Sequence, residues 1–282
     1  MLDAGCLMAD TKYMITDGKQ IANDIKEQLK AEVKSRTHPP TLVIFSVGEN
    51  PVSEKFLAVK KRFAHNIGVF VHEEKFGTDV SPEDMKSRIA DAARANTGII
   101  VQLPLPKTIE AQEILDAIPS THDIDVLSQE SFRLYEEGTL PILPPVVGAI
   151  KEILLRHKVF VGNKNVVIVG KGKLVGAPAA VWFKRHQSIV ESIDEHTQNP
   201  ERYTRNADII VSGAGVPGLI RQDMIKDGAV LLDAGTSESG GKLAGDIAPA
   251  CAKNAFLFTP VPGGIGPVTV AMLFKNLMEV TQ

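Results

Sequence analysis

Short runs rich in β-branched residues recur along this chain, and helical periodicities separate them. That alternation constrains the fold more than any other feature. The segment "DGKQIANDIKEQLKAEVKS" (17–35) sets Ile21, Ile25, Leu29 and Val33 four residues apart, the stripe of an amphipathic helix. "PTLVIFSVG" (40–48) is an apolar run closed by Pro and Gly, the signature of a buried strand. "NPVSEKFLAVKKR" (50–62) follows as a helix and "VFVHEEKF" (69–76) as a strand. "SPEDMKSRIADAARA" (81–95) opens with Ser81 as N-cap and Pro82 at the first helical position, with Glu83 and Asp84 favouring the positive helix end. "GIIVQLPLP" (98–106) is a strand that runs into prolines. Strands and helices in this order predict an α/β protein with a mostly parallel sheet and helices on both faces.

The texture changes at "LPILPPVVGAIKEILLRHK" (140–158), where a proline-dense entry precedes a long amphipathic helix. The domain boundary is placed there: residues 1–146 form a first domain and 147–265 a second, with the last segment, 266–282, a C-terminal helix. The second domain begins with "NVVIVGKGKLVGAPAAVWFKRH" (165–186), a strand, a Gly-rich turn and a helix. Further strands are "SIVESID", "ADIIVSGAG", "AVLLDAG" and the start of "FLFTPVPGGIGPVTVAMLFKNLMEVTQ" (256–282). A chain of 282 residues fits two domains of ordinary size.

Composition excludes several classes. The 44% hydrophobic and 23% charged content belongs to a globular chain, and a net charge of -3 gives no basic surface for nucleic acid. No apolar run approaches the ~18 residues of a membrane span. Cys6 and Cys251 follow no metal-ligand spacing, so no metal is expected and both read as free thiols in a reducing compartment. The opening "MLDAGCLMADTKYM" lacks the features of a secretory signal and reads as a loose extension. The expectation is a cytoplasmic protein acting on a small molecule, with neither nucleic-acid nor membrane partners.

The chemistry-bearing stretches are few. In "GKGKLVGAP" (170–178), Gly170, Gly172 and Gly176 follow a strand and open a helix, where bare backbone and the helix N-terminus accommodate a pyrophosphate. The spacing is one residue longer than the usual dinucleotide fingerprint. At the end of the next strand, Asp194 and Glu195 suit a ribose 2′-hydroxyl, whereas Lys171 suits a 2′-phosphate; the two cues disagree. Gln102 closes a buried strand, where open sheets bind ligands. Pro-Gly-Gly after Val261 leaves bare backbone for a flat ligand, and the bonds before Pro104 and Pro262 are candidates for cis. "THDIDVL" (121–127) offers Asp123 and Asp125, either as solvated loop carboxylates or as acceptors for a heterocycle with amino and ring N–H donors. Lys60 is one of four basic residues in "KFLAVKKR".

From about Asp17 onward the chain resembles the bifunctional methylenetetrahydrofolate dehydrogenase/methenyltetrahydrofolate cyclohydrolase (FolD) family. The matching pieces fall in the family's order: "DGK", "NPVSEKFLAVKK" for N-P-x-S-x-x-Y-x-x-x-K, "VQLPLP", "DIDVL" for D-V-D-G, "GKGKLVGAP" for G-R-S-x-x-V-G-x-P, "DAGTS", "GKLAGD" and "TPVPGGIGPVTVAML". Four departures stand out. Phe56 takes the tyrosine's place, D-G-F-H becomes "DVLSQES", P-x-T-P-x-G becomes "LPPVVGAI", and Arg-Ser becomes Lys171-Gly172.

The resemblance implies an N-terminal α/β/α catalytic domain and a Rossmann-like, doubly wound nucleotide-binding domain, with the C-terminal helix packing back on the first. It implies oxidation of methylenetetrahydrofolate with NADP, or NAD, and hydrolysis of the methenyl product to formyltetrahydrofolate. Lys60, four residues after the aromatic position, takes the role of acid/base. Gln102 orients it, Asp125 anchors the pterin, and Phe56 stacks on the folate. Pro262, Gly263 and Gly264 are implied to line the folate/nicotinamide cleft. Gly170, Lys171, Gly172, Val175, Gly176 and Asp194 are implied to hold the cofactor. Hydrolysis near neutral pH needs a lysine less basic than the free side chain, which burial and a cationic substrate supply. Lys61 points about 100° around the helix and cannot share the task. The departures on the folate side leave two alternatives: a dehydrogenase with weak or absent cyclohydrolase activity, or a non-catalytic binder. From the resemblance alone a homodimer through the nucleotide-binding domain is expected.

Overall fold

A computed structural model describes residues 13–239 and 242–281. Most of the stretch read as an extension (1–12, with Cys6) and Gly241 of "GKLAGD" lie outside the described residues. In chain order the first elements are β1 (Met14–Ile15), α1 (Gly18–Ser35), β2 (Thr41–Val47), α2 (Pro51–Ile67), β3 (Phe70–Phe76), α3 (Pro82–Ala92) and β4 (Thr97–Val101). Next come α4 (Ala111–Leu115), α5 (Gln129–Glu137), α6 (Pro145–Arg156), β5 (Asn165–Val169), α7 (Gly176–Arg185), β6 (Ile189–Ile193), α8 (Glu201–Thr204) and β7 (Ile209–Ser212). The last are β8 (Ala229–Asp233), β9 (Ser237–Ser239), β10 (Lys242–Ala244), β11 (Ala255–Phe258) and α9 (Ile265–Val280). The architecture is α/β throughout, in two compact units.

One unit comprises Gly18–Ile153 with 266–281. Its parallel sheet has the order β3-β2-β4. Val43, Phe45, Val47, Ile99 and Val101 line one face and meet Met85 and Ile89 of α3 with Ile109, Ile114, Leu115 and Ile118. Ser81 caps α3 as expected, its hydroxyl accepting from the Asp84 amide at 3.1 Å.

The C-terminal helix α9 packs into this unit although the chain between is long. A Cβ on Gly98 of β4 would lie 2.6 Å from the Leu277 side chain, so a glycine lets helix and strand approach. Phe63 and Phe274 stack with ring centroids 5.0 Å apart. Asn276 donates to the carbonyls of Ile124 (2.9 Å) and Leu143 (2.8 Å), and the Arg36 guanidinium takes up the α9 carbonyls of Met278 (2.7 Å) and Thr281 (2.8 Å).

The other unit comprises 13–17 and Leu154–Ile265. Its main sheet has six parallel strands in the order β1-β11-β8-β7-β5-β6, beside an antiparallel β9–β10 pair. The chain passes from β5 to β6 on one side, then crosses to β7 on the other. The strand order therefore reverses at β5, and such sheets open a crevice outside the carboxyl ends of the strands there. Met14 and Ile15 pair with Leu257 and Phe258, a strand too short to announce itself by alternation. The sequence places the domain boundary at 146/147, and the division between the units falls later, inside α6. The first turns of α6 bury Val146, Val147, Ala149 and Ile150. Helices α4 and α5 are absent from the sequence reading, yet α5 has legible ends: the Ser128 hydroxyl accepts from the Ser131 amide at 3.2 Å, and Gly138 closes it at φ +80°.

Asp233 ends β8 fully buried, accepting from the amides of Gly235 (3.0 Å), Asp246 (3.2 Å) and Ile247 (2.8 Å). Burial pushes its carboxyl from 3.8 up to about 6, with the Asp246 charge adding to the effect and the amides opposing it. A raised carboxyl favours the folded state while protonated, so its contribution is full below about pH 4 and lost as the pH rises through about 6. A two-unit gap corresponds to roughly 3 kcal/mol. Denaturant unfolding across this window is expected to show that loss in the wild type and a flatter profile in Asp233→Asn. For α9, Asn276→Ala leaves two carbonyls unpaired beside the sheet and is expected to cost about 2 kcal/mol in the same measurement.

Candidate active site

Helix α2 carries the first site residues, and the "NP" of its motif starts it. The Asn50 side chain accepts from the Ser53 amide at 3.1 Å, and Pro51 takes the first helical position. Ser53 then ties the helix to the strand end beyond β4, its hydroxyl donating to the Leu103 carbonyl at 3.2 Å. One turn on, Phe56 and Lys60 share a face. Phe56 is 40% exposed, a large apolar ring left open rather than packed away. The Lys60 ammonium donates to the Gln102 side-chain oxygen at 3.1 Å. The Gln102 amide nitrogen in turn donates to the Leu103 carbonyl at 2.8 Å, which turns its oxygen towards the lysine. Lys61 pairs instead with Glu73 on β3, so neighbouring lysines serve different partners.

The two carboxylates of "THDIDVL" separate cleanly. Asp123 is fully buried, and its oxygens accept from the amides of Val126 (2.9 Å), Leu127 (3.0 Å) and Ser128 (2.8 Å). It is spent on shaping the loop. Asp125 is half-buried. Desolvation pushes its carboxyl up, the positive charge of Lys60 pulls it down, and Asp123 adds to the rise. A ligand donating ring N–H and amino groups to it restores the ionised form. Directly after Asp125 the turn takes φ +59° at Val126, where the resembled family has glycine. A β-branched residue there is strained, and the three bonds to Asp123 hold it in place.

The Gly-rich turn lies in the other unit, after β5. Gly170 has φ +95°, and a Cβ on it would lie 2.8 Å from the Gly213 carbonyl oxygen. A Cβ on Gly176 would overlap the Gly170 carbonyl. Both glycines are therefore required by the turn itself. Gly172 has open space around it, and the Val175 side chain makes no cap hydrogen bond to α7. The open backbone at Gly172 and the uncapped α7 N-terminus form a cradle that fits a dinucleotide pyrophosphate. Lys171 reaches across to Asp194 at the end of β6, at 2.7 Å. That bond, with help from Thr197 and the His196 amide, holds the Asp194 carboxyl below its ordinary range.

Pro262, Gly263 and Gly264 lie in this unit too. The bonds before Pro104 and Pro262 are both cis, as the sequence suggests; Gly263 has φ +109°, and the Gly264 amide donates to the Pro260 carbonyl at 2.7 Å. The structure thus brings Phe56, Lys60, Gln102 and Asp125 together in one unit and the cofactor-loop residues in the other. The sequence reading missed Asn50 and Ser53, although both are fixed letters of its quoted motif; it offers Asp123 as a solvated carboxylate or a ligand acceptor, and the structure gives it to the loop amides instead. Among the described residues no three His, Cys, Asp or Glu side chains are placed to hold a metal ion, and no helix is long and apolar enough to cross a membrane.

Comparison with known proteins bears on family and fold. Residues 16–125 match the catalytic domain of tetrahydrofolate dehydrogenase/cyclohydrolase, and 144–282 match its NAD(P)-binding domain. The chain is 35% identical to the bifunctional protein FolD of Lactobacillus gasseri over 274 residues, covering 95% of this chain and 97% of that protein. It is also 35% identical to FolD of Aquifex aeolicus, with 94% of each covered. Among solved structures, FolD from Campylobacter jejuni superposes with a TM-score of 0.91 at 30% identity, covering 95% of this chain and 99% of that one. The Trypanosoma brucei dehydrogenase-cyclohydrolase, solved with NADP cofactor and inhibitor, gives 0.89 at 30%, covering 95% and 97%. Motifs, fold and relatives converge, and the chain belongs to the tetrahydrofolate dehydrogenase/cyclohydrolase family.

Proposed function

We propose that this protein oxidises 5,10-methylenetetrahydrofolate to the methenyl form with NADP, or NAD, and hydrolyses that product to 10-formyltetrahydrofolate. The observation that carries the reading is the Lys60 amine held at 3.1 Å by the Gln102 oxygen, with its charge felt by Asp125. Folate chemistry belongs to the unit Gly18–Ile153 with the C-terminal helix, and nucleotide binding to the unit containing Leu154–Ile265.

The Gly170–Gly176 turn and the α7 N-terminus would hold NADP or NAD, which would supply the hydride acceptor for the one-carbon bridge. The first step moves no proton, so it asks of the protein only position. Asp125 accepts from the amino and ring N–H groups of the pterin, and the Phe56 face stacks on the folate. Hydrolysis needs proton transfer. Lys60 takes a proton from water as the oxygen attacks the methenyl carbon. The resulting carbinol loses its second proton as the carbon–N5 bond breaks, N5 is protonated by Lys60, and one proton is released overall. Gln102 keeps the amine facing this water. A general acid–base of this kind contributes about 10²–10⁴-fold.

Gly170, Gly172 and Gly176 bring backbone close to the dinucleotide, and Val175 leads into the α7 amides. The Lys171–Asp194 pair occupies the place where a 2′-phosphate or a 2′-hydroxyl is read, so the lysine's charge is partly neutralised before any cofactor binds. Family membership also supports a homodimer through the nucleotide-binding unit and a cytoplasmic setting; sedimentation of the purified chain tests the former.

Methylenetetrahydrofolate supplied with NAD or NADP, with reduced nicotinamide and methenyl absorbance followed together, tests the whole reading. Absence of reduced nucleotide with both cofactors overturns it, and a methenyl product that persists as in buffer removes the hydrolase half. Lys60→Met is expected to slow hydrolysis of added methenyl substrate by about 100-fold or more while reduced nucleotide still forms. Asp194→Ser frees Lys171 and is expected to raise the NADP-over-NAD preference by about threefold to tenfold in the ratio of KM values.

A further inference from the structure

Two motifs of the sequence, "DAGTS" (233–237) and "GKLAGD" (241–246), have no part in the reading above. They meet at Asp246. This carboxylate is fully buried, and one oxygen accepts from the Ser212 hydroxyl (2.8 Å) and the amides of Ala214 (2.7 Å) and Gly215 (3.2 Å). The other accepts from the Val216 amide at 2.8 Å. Successive backbone N–H groups converging on one anion form the concavity that elsewhere binds phosphate. Here the chain supplies the anion itself. The space is closed around it, because a Cβ on Gly235 would overlap the carboxylate. The segment is also fixed by its backbone: Asp246 N donates to Asp233 at 3.2 Å, and Ile220 N donates to the Asp246 carbonyl at 2.9 Å.

The loop held by Asp246 leaves β7 directly against the Gly-rich turn. Gly213 stands beside Gly170, and a Cβ on Gly213 would lie 2.5 Å from the Val175 side chain. β5 and β7 flank the point where strand order reverses, so these residues form adjoining walls of one crevice. Any shift of 213–216 displaces Gly170 and Val175.

We propose that Asp246 is a positioning residue for the nucleotide cofactor: an internal anion that fills the 214–216 concavity, closes it to phosphate, and sets the wall on which the Gly170–Gly176 turn rests. The amides at the α7 N-terminus are then left as the anion site of this crevice. The inference rests on the nucleotide-binding reading above.

Asp246→Asn keeps the shape but replaces one acceptor oxygen with an N–H group facing other donors. Trp182, the chain's single tryptophan, lies on α7 and reports binding by its fluorescence. Titrated with NADP and with NAD, Asp246→Asn is expected to bind about tenfold more weakly than wild type, with the nucleotide KM raised in step and the folate KM within about twofold. Ser212→Ala removes one donor of four and is expected to weaken binding by about threefold, which keeps the test available should Asp246→Asn not fold. In Asp246→Ala, added formate is expected to restore part of the lost affinity and to leave wild type unaffected. Unchanged nucleotide affinity in both Asp246→Asn and Ser212→Ala overturns the proposal. So does an equal rise in the folate KM, or a formate effect that is absent, because each marks a merely structural support. A wild-type chain that binds neither nucleotide overturns the functional reading and this one with it, an outcome distinct from the others.

Discussion

A buried carboxylate that gathers backbone amides is the device on which both halves of this protein depend. Asp123 collects three amides in one unit, and Asp246 collects three amides and a hydroxyl in the other. Removing such a charge from water costs several kcal/mol, and only a full set of donors offsets it. The arrangement is therefore close to all or none. Each loop has one conformation in which every donor meets its acceptor, and the residues on that loop inherit its precision. Parallel sheets leave their functional groups on loops beyond the strand ends, where no ladder fixes the backbone. An internal anion supplies the missing constraint.

How far the sequence reveals this varies with range. Local features were legible: the Ser81 cap, the four-residue stripe of α1, and the strand–turn–helix around Gly170 all follow from neighbouring residues. Lys60 is singled out by the resemblance, and helix geometry adds only that Lys61 faces about 100° away. Asp123 and Asp125 are told apart only by the resemblance. They stand two apart in a loop without periodicity, and which one faces inward is decided by a positive φ at Val126 that no propensity predicts for a β-branched residue. The placement of α9 came only from the resemblance, since its contacts with Ile124, Leu143 and Phe63 span more than a hundred residues. The strand β1 was invisible because two residues cannot display an alternation.

The departures from the family pattern also divide by mechanism. Val126 replaces glycine in a backbone conformation that favours glycine, yet its side chain is buried, so the fold gains apolar contact while tolerating local strain. This substitution alters the loop without displacing Asp125 from Lys60's field. Lys171 in place of arginine exchanges a planar fork for a point charge, which one carboxylate of Asp194 can engage in full. On the proposed reading, the nucleotide-binding unit is thus less committed to a 2′-phosphate than a guanidinium would make it.

Phe56 bears on the chemistry more directly. A phenol on the turn preceding Lys60 offers a second group able to carry a proton near the reacting water; a phenyl ring offers area alone. The ring remains open to solvent and on the same helical face as Lys60, so the proposed stacking needs no more than this ring. What does not survive is any relay through that position. Proton traffic must then pass between water and the amine that Gln102 holds, and Gln102, an amide, orients but does not titrate. On the proposed reading, the hydrolytic step therefore rests on a single side chain from α2, Lys60, which donates to Gln102 just beyond β4. Hydride transfer, which moves no proton, carries no such dependence. On the proposed reading the two activities are in this way exposed to different residues, and a change at position 56 bears on hydrolysis alone.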